Sequence, residues 1–200
     1  MNSERAIAIL TSGKSRGSNF AAIHQWFQDK KLPVKIRFLT VSNLQAPVII
    51  KCLELGIEHF HISLKDMTAF EKKLLFYLRQ YDIELLALAG FLKKLSTAFL
   101  RNCRIPVLNI HPALLPKFGG KGMYGSFVHQ AVFTAGERES GATVHLVNED
   151  YDEGKIVMQQ KTSIADCLSP EEIAERVLKI EHEIYARAIW KILTENDSFS

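Results

Sequence analysis

Hydrophobic and polar positions change period several times along the chain, and each change predicts an element. Ala6 to Leu10 is a short apolar run with IAIL at its centre, closed by the turn residues Thr11-Ser12-Gly13. That pattern predicts a strand buried on both faces. From Ser18 to Lys30 the apolar residues Phe20, Ile23, Trp26 and Phe27 fall at helical spacing. Val34 to Val41 is rich in β-branched residues and predicts a second strand. Pro47 to Leu55 predicts a helix stopped by Gly56, and Ile57 to Ile62 a short third strand. Asp66 to Gln80 is amphipathic, with Phe70, Leu74, Tyr77 and Leu78 on one side.

The second half continues the alternation. Glu84 to Ala89 predicts a fourth strand, Ser96 to Asn102 a short helix and Pro106 to Ile110 a fifth strand. A loop rich in Gly and Pro runs from His111 to Gly125, and a helix from Ser126 to Ala135. Ala142 to Val147 and Lys155 to Gln160 predict two more strands joined by a long loop. The last helix opens on a capping box, with Ser169 as N-cap, Pro170 at N1 and Glu172 at N3. Its apolar stripe is Ile173, Val177, Ile180, Ile184 and Ala188.

Strands that alternate with helices require crossovers, and crossovers give parallel strands. The expected fold class is therefore α/β, with a mostly parallel central sheet flanked by helices. The chain has 200 residues, enough for one domain with a sizeable core. No repeat or linker breaks it, and only the tail from Asn196 to Ser200 reads as frayed.

Composition narrows the function little. Hydrophobic residues are 47% and charged residues 24%, as in an ordinary globular protein. The net charge of +3 suits small anionic substrates and is too mild to argue for nucleic acid. Cys52, Cys103 and Cys167 are far apart and odd in number, so neither a disulfide framework nor a zinc site is indicated. With no secretory signal and no apolar run long enough to span a bilayer, the expected location is cytoplasmic, with no membrane or nucleic-acid partner.

Three segments could carry chemistry. The turn Thr11 to Asn19 joins a strand to a helix N-terminus, with small residues beside Lys14 and Arg16. A helix end of that kind favours anions, although an ordinary βα turn would read alike. Asn109 and His111 lie two apart at the carboxyl end of the fifth strand, so their side chains share a face. An amide beside an imidazole can steady an oxyanion and move a proton; a histidine that merely bonds locally would have the same spacing. Tyr151-Asp152-Glu153-Gly154 offers a carboxylate that could orient a histidine, or simply a solvated acidic turn. His24, His59, His61, His129, His145 and His182 lack metal-ligand spacing, so no metal is expected. Of these, His129 follows the glycine loop and is a candidate to reach a ligand there.

Taken together, SGKSRGSN at 12–19, LAGFLKKLS at 88–96, NIHPALLPKFGGKG at 109–122, GATVHLVNEDYDEG at 141–154 and RVLKIEHEIY at 176–185 resemble the folate-dependent phosphoribosylglycinamide formyltransferase family. The resemblance covers Ile7 to Leu193. It implies a Rossmann-like formyltransferase fold, one domain over 1–200. The part about 1–105 would bind the substrate phosphate, and the part about 106–195 would bind folate and carry the chemistry. It implies 10-formyltetrahydrofolate as co-substrate, no metal, and formyl transfer to the amine of 5'-phosphoribosylglycinamide by a monomer or homodimer. Asn109, His111 and Asp152 become the catalytic trio. Gly17, Ser18 and Asn19 cradle the phosphate, and Glu181 contacts the glycinamide end. Leu88, Phe91, Leu92, Leu95 and Val147, with Asp152, line the folate pocket.

The phosphate turn is longer than the usual bacterial pattern, and so is the segment Gly119 to Gly125, while Lys94 and Ala186 replace commoner residues. Relatives that hydrolyse formyl folate or formylate methionyl-tRNA carry added domains, and none is expected here before residue 6 or after Ser200. Sugar-amine formyltransferases stay open as an alternative.

Overall fold

A computed structural model describes residues 4–12 and 16–195. Gly13, Lys14 and Ser15 of the expected phosphate turn lie outside the described residues, as does the tail 196–200. The elements run β1 (Arg5–Leu10), α1 (Ser18–Asp29), β2 (Val34–Val41), α2 (Val48–Glu54), β3 (Glu58–His61), α3 (Met67–Gln80) and β4 (Leu85–Leu88). They continue with α4 (Thr97–Cys103), β5 (Val107–His111), α5 (Ser126–Thr134), β6 (Glu139–Leu146), β7 (Ile156–Ser163) and α6 (Pro170–Glu195). Each expected element is present, with ends displaced by at most three residues.

The strands form one seven-stranded sheet in the order β3-β2-β1-β4-β5-β6-β7. The first five strands are parallel; β6 runs antiparallel to β5, and β7 antiparallel to β6. Short apolar strands such as β1 and β4 sit in the middle because both of their faces are covered. In β1, Ile7 and Ile9 enter one hydrophobic cluster while Ala6, Ala8 and Leu10 enter the other. In β4, Leu85 and Ala87 divide from Leu86 and Leu88 in the same way. The period-2 alternation of a strand thus feeds two cores at once.

The first core holds α1, α5 and α6, through Phe20, Ile23, Val128, Val132, Val177 and Ile184. The second holds α3 and α4, through Phe70, Leu74, Leu78 and Phe99. The predicted stripe of α6 is buried at every position, and its Tyr185 is fully buried, its hydroxyl 2.8 Å from the Leu88 carbonyl and 3.1 Å from that of Leu108. That hydroxyl ties the helix to β4 and β5 beside the strand ends where ligands bind in such sheets.

Two local findings refine the expectations. The Ser169 hydroxyl accepts from the Glu172 amide as a capping box requires, but Glu172 reaches back to the Leu168 amide, one residue earlier than expected. Strand β6 starts at Glu139 rather than Ala142, because Glu139, Ser140 and Gly141 pair with Ser163, Thr162 and Lys161 of β7. Local sequence cannot announce a polar strand segment whose partner lies in another strand.

Candidate active site

A cavity of about 530 Å³ opens at the carboxyl ends of β4 and β5. Strand β5 delivers Asn109 and His111 to its floor, two residues apart and facing alike. The antiparallel neighbour β6 sets His145 opposite Asn109 and Thr143 opposite His111. Thr143 then fixes the chain that leaves β5: its hydroxyl donates to the Ala113 carbonyl at 2.6 Å and accepts from the Leu115 amide at 3.1 Å.

Asp152 comes to this floor from the loop between β6 and β7. Its backbone is left-handed, with φ 58. The loop descends closely here: a Cβ on Gly154 would collide with the Leu146 carbonyl, so only glycine lets the chain pass. The carboxylate lies between two imidazoles. Oδ2 is 3.5 Å from His111 Nδ1, and Oδ1 is 3.5 Å from His145 Nε2. Oδ2 also accepts from the Gly120 amide at 3.0 Å. Asn109 Nδ2 is 3.2 Å from His145 Nε2, and His111 Nε2 is 2.8 Å from the Phe118 carbonyl, to which a protonated Nε2 donates.

The structure therefore brings Asn109, His111 and Asp152 together from distant stretches of chain. It adds His145, which links the amide to the carboxylate. Spacing along the sequence ranked His145 among the weak histidines. The signal for it lies in pairing: His145 alternates with Thr143 on the face that β6 presents to β5.

Burial tunes these groups. For His111 it lowers the proton affinity, and outweighs the opposing pull of Asp152 and the Phe118 carbonyl. The Asp152 carboxylate opposes this, yet the net shift favours the neutral imidazole in the free protein. Burial pushes the Asp152 carboxyl upward, but hydrogen bonding to His145, the His111 ring and the Gly120 amide together hold it below its ordinary range. It is an anion set between two imidazoles.

The remaining predicted residues fall around this floor. Leu88, Phe91, Leu92, Leu95 and Val147 line the same cavity as Asp152. Asn19 and Glu181 line it on the other side, and Asn19 Nδ2 donates to Glu181 Oε2 at 2.6 Å. Burial pushes the Glu181 carboxyl up to about 7, against that amide, which pulls it down. Gly17, Ser18 and Asn19 border a smaller adjoining pocket of about 70 Å³ at the start of α1. Gly17 caps that helix with φ 72, and a Cβ there would run into Val48, so the turn requires glycine for conformation and space alike. Among the described residues, no group of His, Cys, Asp and Glu is arranged to hold a metal ion. No helix there is long and apolar enough to cross a membrane.

A Rossmann-like sheet with an amide, imidazoles and a carboxylate gathered at its strand ends, beside an anion-favouring helix start, defines a group-transfer enzyme architecture. Residues 5–189 match the family model described as formyl transferase, and the chain belongs to that family. It is 34% identical over 96% of its length to the chloroplastic phosphoribosylglycinamide formyltransferase of Arabidopsis thaliana, and spans 66% of that relative, just under two thirds. It is 32% identical to the phosphoribosylglycinamide formyltransferase of Bacillus subtilis (strain 168), covering 96% of this chain and 97% of the other. Among solved structures, the phosphoribosylglycinamide formyltransferase of Coxiella burnetii superposes with a TM-score of 0.83 at 33% identity, covering 95% of this chain and 88% of that one.

Proposed function

We propose that this protein transfers the formyl group of 10-formyltetrahydrofolate to the amine of 5'-phosphoribosylglycinamide, a step of de novo purine biosynthesis. The observation that carries this reading is the meeting of two sets of groups in one cavity. Asn109, His111 and Asp152 stand on its floor, and Asn19 and Glu181 stand beside the phosphate-sized pocket at the start of α1. A substrate with a phosphate at one end and an amine at the other fits that spacing of functions.

The neutral amine attacks the formyl carbon, and the carbonyl electron pair moves to oxygen. Asn109 donates its amide hydrogen to that oxyanion. The growing negative charge raises the proton affinity of His111, which is neutral beforehand and takes the proton that the attacking nitrogen gives up, and Asp152 stabilises the imidazolium as it forms. Collapse of the intermediate re-forms the carbonyl and breaks the bond from the formyl carbon to folate nitrogen. The imidazolium passes its proton to that nitrogen, which restores neutral His111, and tetrahydrofolate leaves. No covalent enzyme intermediate is needed.

In the same reading Leu88, Phe91, Leu92, Leu95 and Val147 hold the folate, and Gly17, Ser18 and Asn19 hold the phosphate. Glu181 meets the glycinamide end. The part about 1–105 serves chiefly the phosphate, and the part about 106–195 the folate and the chemistry, with Leu88 to Leu95 contributed across that division. The protein would work in the cytoplasm as a monomer or homodimer on small molecules, without nucleic acid or membrane. The test is to incubate the purified protein with 10-formyltetrahydrofolate, with and without glycinamide ribonucleotide, and to follow tetrahydrofolate release. Release that depends on the amine is expected. Release that ignores it indicates hydrolysis, and activity only with a nucleotide amino sugar indicates the sugar-amine alternative.

A further inference from the structure

His129 is the one cavity-lining histidine that the chemistry above leaves without a task. It lies on α5, on the same stripe as Val128 and Val132, and is only 7% exposed. Its Nδ1 is buried, with no hydrogen-bond partner among the described residues. Yet the residue lines the cavity that holds His111 and Glu181. Leaving a buried ring nitrogen unpaired is a cost that the free protein does not offset, and a leucine would fill the same space without it.

The two walls of the cavity belong to opposite faces of the sheet, and this decides which ligand His129 meets. Leu88, Phe91 and Leu95 pack with α3 and α4. Asn19 on α1, Glu181 on α6 and His129 on α5 ride on the three helices of the other face, and α6 is in contact with both α1 and α5. His129 is therefore on the side where the amine acceptor binds, away from the wall assigned to folate. Burial, and next the nearby His111, push its proton affinity down to about 4, so the ring is neutral at working pH. A neutral imidazole offers one donor and one acceptor, and is matched to a hydroxyl or amide rather than to a phosphate.

We propose that His129 is an acceptor-binding residue: the ring's other nitrogen, Nε2, which is not enclosed as Nδ1 is, exchanges a hydrogen bond across the cavity with an uncharged hydroxyl or amide group of the amine substrate. The inference rests on the formyl-transfer reading, and the experiment separates the two. Binding of glycinamide ribonucleotide and of a folate analogue is measured separately by calorimetry on wild type, His129→Leu and His129→Asn, with Tm alongside. The leucine variant is expected to weaken nucleotide binding about tenfold or more, ~1.4 kcal/mol, while folate binding stays within about twofold. Its Tm is expected to be unchanged or raised, and the asparagine variant to recover part of the lost affinity. Wild-type affinity for the nucleotide in His129→Leu would overturn the role of His129 alone. Loss of affinity for both ligands with a lowered Tm would overturn it too, since the ring would then be holding α5 in place. A wild-type protein that binds no glycinamide ribonucleotide would overturn the formyl-transfer reading and this inference with it.

Discussion

His145 faces Asn109 directly across the β5–β6 ladder, with Nε2 of the ring 3.2 Å from Nδ2 of the amide. The same Nε2 is 3.5 Å from Asp152 Oδ1, so one ring nitrogen is shared between the amide donor and the carboxylate. An Asn side chain can present either its nitrogen or its oxygen to the cavity. A ring nitrogen held against the amide selects one of those orientations. The His145 Nδ1 is 3.0 Å from the Leu146 carbonyl, to which a protonated Nδ1 donates.

Replacing His145 by Ala should therefore lower kcat while leaving the KM for folate nearly unchanged. Loss of one buried hydrogen-bond partner, about 1–3 kcal/mol, corresponds to roughly a ten- to hundredfold fall. Steady-state kinetics with both substrates check this, and an unchanged kcat would remove His145 from the site.

Asn109→Ala, His111→Ala and Asp152→Asn should each cost about 10²–10³ in kcat, because each removes a group facing the developing charge. The three losses should not add, since the groups act as one unit. The double variant His111→Ala with Asp152→Asn is expected to be scarcely worse than His111→Ala. Near-wild-type turnover in all three single variants would end the proposed mechanism.

Glu181 predicts a pH effect on stability. Its carboxyl is pushed up to about 7 in the folded protein from an ordinary 4.5, so the folded state binds more protons than the unfolded state between those values. The contribution is fully present below about 4.5 and is lost as pH rises through about 7. Glu181→Gln, which stays neutral, should be more stable than wild type at pH 8, by on the order of 2–3 kcal/mol, and equal to it near pH 4.5. Urea unfolding across that range measures it. A constant difference between the two proteins would mean that the carboxyl titrates normally.

Gly154→Ala should damage both stability and activity. The added methyl meets the Leu146 carbonyl, which is backbone in β6 and cannot step aside cheaply. A loss of at least about 2 kcal/mol is expected, together with a fall in kcat as Asp152 is displaced from the two imidazoles. Thermal unfolding and turnover of the variant test both halves.

Much of the architecture was already legible in local periodicity. A strand such as β1 reads IAIL because both of its faces are covered, and α6 reads Ile173, Val177, Ile180 and Ile184 because one stripe meets the sheet. Asn109 and His111 were legible too, since a two-residue spacing at the end of a strand needs no partner to fix which way side chains point. Asp152 was legible only through the resemblance of its segment to a family, because an acidic turn by itself looks solvated.

The amino-acid order alone thus determined the elements, the parallel core of the sheet and the pair on β5, all of which depend on neighbours within a few residues. Tertiary structure decided which groups those residues meet. It reversed β6 between β5 and β7, set His145 against Asn109 and lowered Asp152 between two rings. It also buried His129 with a ring nitrogen unpaired and desolvated His111 until it is neutral. The physical reason is that hydrogen-bond partners and desolvation depend on distances in space between segments far apart along the chain, and a one-dimensional pattern holds no record of those distances.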